Sequence, residues 1–335
     1  MESQAVKRMI LLVITVMVIL FGVFVYWDNN RLLVEYQTIE MTQLPQGFDG
    51  YRILQISDLH EKEFGDGQKK LIEEINALEY DAIVFTGDMM DKPEKTDFSA
   101  FFTLLEGIEN KENAFFVPGN TDPDSYEITQ NGNVQKTSFI QEMEEHGVLL
   151  LESVEAIQKG EDSLYFINFD LASLDPGEGF TPVYGRVARP IEKAHAYAEY
   201  QNQQLLQFSQ LQESDDEVLI ALSHYPIVDV QMDYLERISP IRKNMLILAG
   251  HYHGGQIRIP FLGALFVPEA WYDRNGLFPP RDRVSGLWEY NGTKQYVSTG
   301  IGSSDALSFL NFRLFNPPQI NLITLTKEQD DSSEG

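Results

Sequence analysis

Apolar and polar positions fall along this chain in three regimes. Met9 to Trp27 runs 19 residues without a charge, reading MILLVITVMVILFGVFVYW. As a helix at 1.5 Å per residue it spans about 28 Å, close to the hydrocarbon thickness of a bilayer. It has no polar face, which argues against a buried core helix. Residues 31–45 alternate loosely and predict an outer strand before Pro45 and Gly47. From Tyr51 onward, short apolar runs alternate with helical stripes. YRILQIS, DAIVFTG and NAFFVPG predict buried strands. Between them Leu71, Ile72, Ile75 and Leu78, then Phe98, Phe101, Phe102, Leu105 and Ile108, recur at helical spacing. Thr137 to His146 predicts a further helix, SLYFINFDLASLD a strand region, and residues 190–212 a long polar helix. VLIALSH and MLILAGH add two more buried strands. After Gly254 the pattern turns into short strands with Gly/Pro turns. It closes on NPPQINLITLT, which predicts an edge strand because its prolines stand at the start. Strands alternating with helices predict an α/β fold whose sheet is covered by helices on both faces.

Composition narrows the class. The 335 residues are 43% hydrophobic and 12% aromatic, which suits one large core and excludes disorder. The absence of cysteine removes disulfide frameworks, thiolate metal sites and a cysteine nucleophile. Against 25 basic residues stand 51 acidic ones, a net charge of −26 that would repel a polyphosphate, so no nucleic-acid partner is expected. Lys7 and Arg8 precede the long apolar run, Tyr26 and Trp27 close it, and no Ala-x-Ala-like cleavage site follows. These features predict an uncleaved signal anchor over 9–27, with residues 1–8 cytoplasmic and the rest extracytoplasmic. The expected organisation continues with a linker and outer strand over 28–49, one domain over 50–326 and an acidic tail over 327–335.

The polar residues with chemical potential follow the predicted strands. Asp58 and His60 come after YRILQIS, Asp88 and Asp91 after DAIVFTG, and Asn120, Thr121 and Asp122 after NAFFVPG. His224 follows VLIALS, and His251 and His253 follow MLILAG. Sites in open α/β sheets lie outside the carboxyl ends of the strands, and four of the chain's six histidines gather there. Strand side chains alternate with period two, so Asp58/His60 and His251/His253 are each expected to point the same way. A donor set of carboxylate, imidazole and amide suits Mn, Fe or Zn better than Ca or Mg. Seven ligands are too many for one tetrahedral ion. They suit two ions sharing a carboxylate, an arrangement that clamps both oxygens of an in-line displacement at phosphorus.

In order, DLH, GDMMD, GNTD, SH and GHYH resemble the five blocks DxH, GDxxD, GNH(D/E), H and GHxH of the calcineurin-like metallophosphoesterase superfamily. The resemblance covers roughly residues 50–326. The apolar anchor and the run GHYHGGQIRIPFLGALFVP are similar, more narrowly, to the membrane-anchored bacterial branch. That branch includes cell-envelope phosphoesterases and enzymes resembling UDP-2,3-diacylglucosamine pyrophosphatase. The resemblance implies a four-layer α/β/β/α sandwich of two mixed sheets. It implies one divalent metal held by Asp58, His60, Asp88 and His253, and a second held by Asp88 as bridge with Asn120, His224 and His251. It implies a hydroxide between the metals as nucleophile and Asp91 orienting a ligand. Asp58, Asp88, Asn120, Thr121 and Asp122 become the candidate catalytic residues, and a phosphorylated, envelope-derived or lipid-linked molecule the expected substrate.

Thr121 departs from the pattern, which places histidine there. Threonine cannot donate a proton from a cation, and such general acid help is typically worth 10²–10⁴ in rate. Three readings follow. The substrate has a good leaving group such as a nucleotide, or another residue substitutes, with Arg186, Arg189 and His195 as candidates, or the protein binds metal and phosphate with little turnover. The retained ligand blocks favour an active enzyme over a metal-binding sensor. His146 ends a helical stretch and reads as structural. The aromatic stretch with Phe261, Leu265, Phe266, Trp271 and Tyr272 reads as core, or as an apolar rim that takes acyl chains or dips into a bilayer.

Overall fold

The computed structural model describes residues 2–172, 200, 203–204, 206, 217–238, 244–268, 276–304 and 311–328. The apolar run lies within one continuous helix, α1 (Glu2–Asn30), longer at both ends than its uncharged stretch. Its most apolar window has no burial inside the protein.

Two six-stranded mixed sheets follow. The first contains β1 (Leu33–Met41), β2 (Arg52–Ile56), β3 (Ala82–Phe85), β4 (Ala114–Phe116), β7 (Leu149–Leu150) and β16 (Gln319–Lys327), in the order β1-β16-β2-β3-β4-β7. Strands β2, β3, β4 and β7 run parallel, and β16 is antiparallel to β2. The second contains β8 (Val154–Lys159), β9 (Asp162–Asn168), β10 (Leu219–Leu222), β11 (Met245–Ala249), β14 (Gly286–Tyr290) and β15 (Thr293–Val297), in the order β14-β15-β11-β10-β9-β8. Its four inner strands are parallel and each edge strand is antiparallel to its neighbour. A small hairpin, β5 (Tyr126–Ile128) with β6 (Val134–Lys136), stands apart from both sheets.

Strand periodicity sorts the core into layers. Ile53, Val84, Phe115, Phe166, Ile220, Leu222, Leu246, Leu248 and Ile323 meet between the sheets. Their alternates Leu54, Ile56, Ile83 and Phe85 face the opposite way, onto α2 (Lys69–Asn76), α3 (Ser99–Gly107) and α4 (Ser138–Glu145). On the far side, Leu219, Ala221 and Ile247 face Met232 and Leu235 of α5 (Asp229–Ile238). The result is the expected helix–sheet–sheet–helix sandwich.

Two expectations need correction or lie out of reach. Strand β16 is not an edge strand, since it pairs with β1 and β2 on its two sides. Pro317 and Pro318 precede its first paired residue, Gln319, so the missing N–H groups fall outside the ladder and both flanks remain available. The predicted helix over 190–212 lies largely outside the described residues. Segment 31–45 supplies β1, an edge strand paired in parallel along β16.

One polar contact between the sheets bears directly on the site. Gln55, fully buried on β2, donates from Nε2 to Thr86 Oγ1 at 3.0 Å and to the carbonyl of Ala249, the last residue of β11, at 2.9 Å. It ties together the carboxyl ends from which the candidate ligands emerge.

The helical layer over the first sheet rests on an aromatic cluster in which Phe139 touches Phe98, Phe101, Phe102 and Phe116. Truncation at Phe139→Ala leaves a cavity there and is expected to lower unfolding stability by about 3–5 kcal/mol. Tyr36→Ala, at an exposed strand position, should change it by less than about 0.5 kcal/mol. Denaturant unfolding of the two variants checks both.

Candidate metal centre

Each candidate ligand sits just past a strand end. Asp58 and His60 follow β2, Asp88 follows β3, Asn120 follows β4, His224 follows β10, and His251 and His253 follow β11. The structure brings them together in two buried groups. Asp58, His60, Asp88 and His253 form one, and Asp88, His224 and His251 the other, with ligand atoms in each within 4.8 Å of one another. Asp88 belongs to both.

The way these residues converge differs from strand alternation. Asp58, His60, Asp88, His251 and His253 all have left-handed backbone, with φ between 46° and 66°. That conformation costs a non-glycine residue about 1 kcal/mol or more, and it clusters at functional sites. The pairs Asp58/His60 and His251/His253 are therefore aimed by tight turns beyond the strands. The second pair is split, His253 joining the first group and His251 the second.

Neighbouring backbone holds these turns. Asp58 N–H donates to the Gly87 carbonyl and His60 N–H to the Asp88 carbonyl, both at 3.0 Å. Two of the motif glycines are needed because the carboxylates lie against them. A Cβ on Gly119 would come within 2.2 Å of Asp88 Oδ1, and one on Gly250 within 1.9 Å of Ser57 Oγ and 2.6 Å of Asp58 Oδ2.

Asp88 divides its carboxylate. Oδ1 accepts the Thr121 N–H at 2.8 Å. Oδ2 faces His60 Nε2 at 3.5 Å and His224 Nε2 at 3.3 Å, one histidine from each group. The Nδ1–H of His224 donates to the Thr86 carbonyl at 2.8 Å, since a carbonyl can only accept. In the neutral ring the Nε2 lone pair thus faces Asp88 Oδ2, Asn120 Oδ1 at 3.1 Å and His251 Nδ1 at 3.0 Å. On the other side His60 Nδ1 lies 3.5 Å from Asp91 Oδ1, which turns its Nε2 toward His253 Nε2 at 3.2 Å. His253 Nε2 in turn lies 3.6 Å from Asp58 Oδ1. Lone pairs outnumber the hydrogens able to join them. Divalent cations fit such a donor set, whose nitrogen and oxygen character matches borderline metals.

The electrostatics agree with this arrangement. Burial opposes ionisation of Asp88, yet the charge and hydrogen bond of His224, with His60, hold its carboxyl well below the usual range. His224 is likewise penalised by burial, but Asp88 and Asp58 lift it to about 9. Burial, then the charge of His224, pushes His251 down to about 3, and burial with His60 pushes His253 well below the ordinary imidazole value. The carboxylates thus draw protons onto His60 and His224 while His251 and His253 stay neutral. A divalent cation bound there would take the place of those protons and leave the rings neutral.

Asp122 and Thr121 take roles that spacing did not reveal. Asp122 is buried, and its two oxygens accept the N–H groups of Asp88, Met89, Met90 and Gly119 at 2.8–3.1 Å. It clamps the GDMMD and GNTD turns together, and burial followed by the Asp88 charge lifts its pKa to about 6. Thr121 donates its hydroxyl to the Met90 carbonyl at 2.6 Å, so the side chain is engaged with backbone. Asn120 is exposed and marks the open side of the site. Arg186, Arg189, His195, Trp271 and Tyr272 lie outside the described residues. His146 stacks on Phe102 at 5.4 Å, away from the ligand groups.

One residue of the site had no motif to announce it. Arg313 is fully buried and donates to the carbonyls of Asn316, Gly302, Thr299 and His253 at 2.6–3.3 Å. Burial pushes its guanidinium down to about 9. It braces the backbone of the His253 turn from behind. Its faint sequence signal is a lone arginine between apolar neighbours in FRLF.

Comparison with known proteins agrees with this geometry. The family model described as "Calcineurin-like phosphoesterase" matches residues 51–255. An uncharacterized metallophosphoesterase, YkuE, of Bacillus subtilis (strain 168) is 25% identical over 311 residues, covering 91% of this chain and 89% of that protein. Among solved structures, the phosphopantetheinyl hydrolase PptH of Mycobacterium tuberculosis aligns with a TM-score of 0.40 at 14% identity, covering 76% of this chain and 90% of that one. A likeness at that level says nothing of the chemistry. The family model takes in both candidate ligand groups, from Asp58 through His253, and the chain belongs to the calcineurin-like phosphoesterase family.

Proposed function

We propose that this metallophosphoesterase is a membrane-anchored, dinuclear enzyme. On this reading it hydrolyses a phosphoester or pyrophosphate bond of a cell-envelope or lipid-linked substrate. The observation that carries the reading is the single Asp88 oxygen facing a histidine from each ligand group. In this reading Asp58, His60, Asp88 and His253 hold one divalent ion, Mn, Zn or Fe. Asp88, Asn120, His224 and His251 hold the other. Bound there, the pair supplies Lewis acidity and a water-derived nucleophile at neutral pH for in-line displacement at phosphorus. The chain's own residues supply position. Asp91 orients His60, Thr86 fixes the His224 tautomer, Asp122 locks the two turns, and exposed Asn120 stands where substrate enters.

Thr121 supports the choice of bond. Its hydroxyl donates to a backbone carbonyl, so it does not serve as the acid for a leaving oxygen. A substrate that leaves as a stable anion, such as one half of a pyrophosphate, needs little protonation. For the anchor, the support is an unburied apolar helix flanked by Lys7 and Arg8 on one side and Tyr26 and Trp27 on the other. With that charge placement the catalytic domain lies outside the cytoplasm.

Three outcomes are expected. Asp88→Asn should lower bound metal, measured by elemental analysis of the purified protein. It should also cut hydrolysis of bis-p-nitrophenyl phosphate in Mn²⁺ by about 10²-fold or more; near-normal values contradict the bridging role. Thr121→His should raise turnover of esters with poor leaving groups by about tenfold or more and change pyrophosphate cleavage little. An equal gain on both would remove the leaving-group argument, and two bound metals with no turnover of any diester or pyrophosphate would point to a binding domain instead. Protease added to intact cells should digest the C-terminal domain, whereas full protection places it in the cytoplasm.

A further inference from the structure

The end of α1 is fastened to the catalytic domain close to the metal centre. Asn29 pairs its side-chain amide with the backbone of Arg313, donating to the carbonyl at 2.6 Å and accepting the N–H at 2.7 Å. Lys62, two residues past His60, donates to the Asn29 carbonyl. Asp28 is buried and paired with Arg31 at 2.8 Å. These contacts set the height of the domain along the helix. Phe315 packs against Phe24 with ring centroids 5.4 Å apart. Phe24 lies inside the uncharged run that ends at Trp27. Whatever depth α1 takes in a bilayer, Phe315 sits at the edge of its apolar zone.

Phe315 belongs to a larger ribbon. Leu314 bonds to the backbones of Gln256 and Arg258. There the chain enters β12 (Arg258–Ile259), turns, and returns as β13 (Gly263–Ala264). Leu265 and Phe266 then pair with Phe278 and Leu277. This ribbon exposes Phe261 at 94%, Leu262 at 57%, Leu277 at 50%, and Phe278 and Phe315 at 45% each. Phe261, Phe278 and Phe315 adopt φ of 69°, 45° and 52°, a left-handed backbone unfavourable for aromatic residues that nevertheless leaves them exposed. The charge pattern is equally biased. The chain has 51 acidic residues, yet none falls within 256–268, 276–281 or 311–318, where Arg281 is exposed, Arg258 half-buried and Arg313 buried. Exposed Asp282, paired with Arg283 at 2.8 Å, borders the patch. An apolar surface poor in acidic residues and continuous with an apolar helix long enough to span a bilayer suits a lipid–water boundary.

We infer that this ribbon is a membrane-docking surface, inserted into the leaflet in which α1 ends, and that it holds the metal centre at the headgroup plane. The inference rests on the proposed anchoring of α1 and narrows the substrate to one presented at the lipid surface. The coupling to the site is direct. Arg258 Nε donates to the Gly254 carbonyl at 2.8 Å, and Asn316 Nδ2 to the His253 carbonyl at 2.7 Å, so the ribbon and the His253 turn share a backbone network.

The natural lack of cysteine allows a direct test in the full chain. Single cysteines at Val16→Cys, Phe261→Cys, Phe278→Cys and Glu127→Cys are labelled with an environment-sensitive fluorophore. The protein is then reconstituted in phosphatidylcholine/phosphatidylglycerol vesicles with brominated acyl chains. Labels at 261 and 278 should lose fluorescence as the label at 16 does, while the label at 127, on an exposed hairpin position, keeps it. Quenching at 16 with none at 261 and 278 would overturn the docking surface and leave the anchor standing. Absence of quenching at 16 would overturn the anchor and the inference with it. Shielding of 261 and 278 from a water-soluble quencher without contact with lipid would assign the face to a protein and also overturn the inference.

Discussion

Most of the site depends on how the Asp88 carboxylate is divided. One oxygen is fixed by the Thr121 N–H, which leaves the other to face both histidine groups. A carboxylate free to rotate would serve one group at a time. Because the backbone of the GNTD turn holds Asp88, the position of that turn becomes part of the metal chemistry. This accounts for Asp122, whose four N–H contacts join the GNTD turn to the turn carrying Asp88. It also accounts for Gly119, since any side chain there would strike the Asp88 oxygen. The motif reads as a list of ligands, but several of its residues shape backbone instead.

The sandwich provides the frame that makes such turns tolerable. Five of the candidate ligands adopt left-handed backbone, an energetic cost spread over three loops. Gln55 joins the two sheets beneath the site, and Arg313 braces the His253 turn through four carbonyls. A buried guanidinium is costly unless its donors are satisfied. Here all three of its nitrogens donate, and the same residue receives Asn29 from the apolar helix. The helix is therefore linked to the candidate metal centre through Arg313 and, from the His60 side, through Lys62 on the Asn29 carbonyl.

Much of this is legible in the amino-acid sequence. Short apolar runs ending in Asp, His, Asn and Gly mark the strands and the ligands, because burial on both faces leaves only the strand ends for polar chemistry. The layered α/β class follows from the alternation of periods. Other features are not legible, for specific reasons. Prolines before β16 suggest an edge, yet they sit one step outside the ladder, a distinction made by register alone. The i, i+2 pairs converge through turns whose φ values carry no signature in residue type. Asp122 matches a motif position, but three of its four backbone partners come from a segment some thirty residues earlier. Arg313 and Asn29 stand 284 positions apart, and no local pattern pairs them.

The central proposal, that Asp88 would serve as a ligand common to two metal ions, is tested most directly by electron paramagnetic resonance of the Mn²⁺-loaded protein. A carboxylate shared between two ions couples their spins, so the account predicts the spectrum of an exchange-coupled pair, lost in Asp88→Asn. A spectrum of isolated Mn²⁺ ions in the unaltered protein would contradict it.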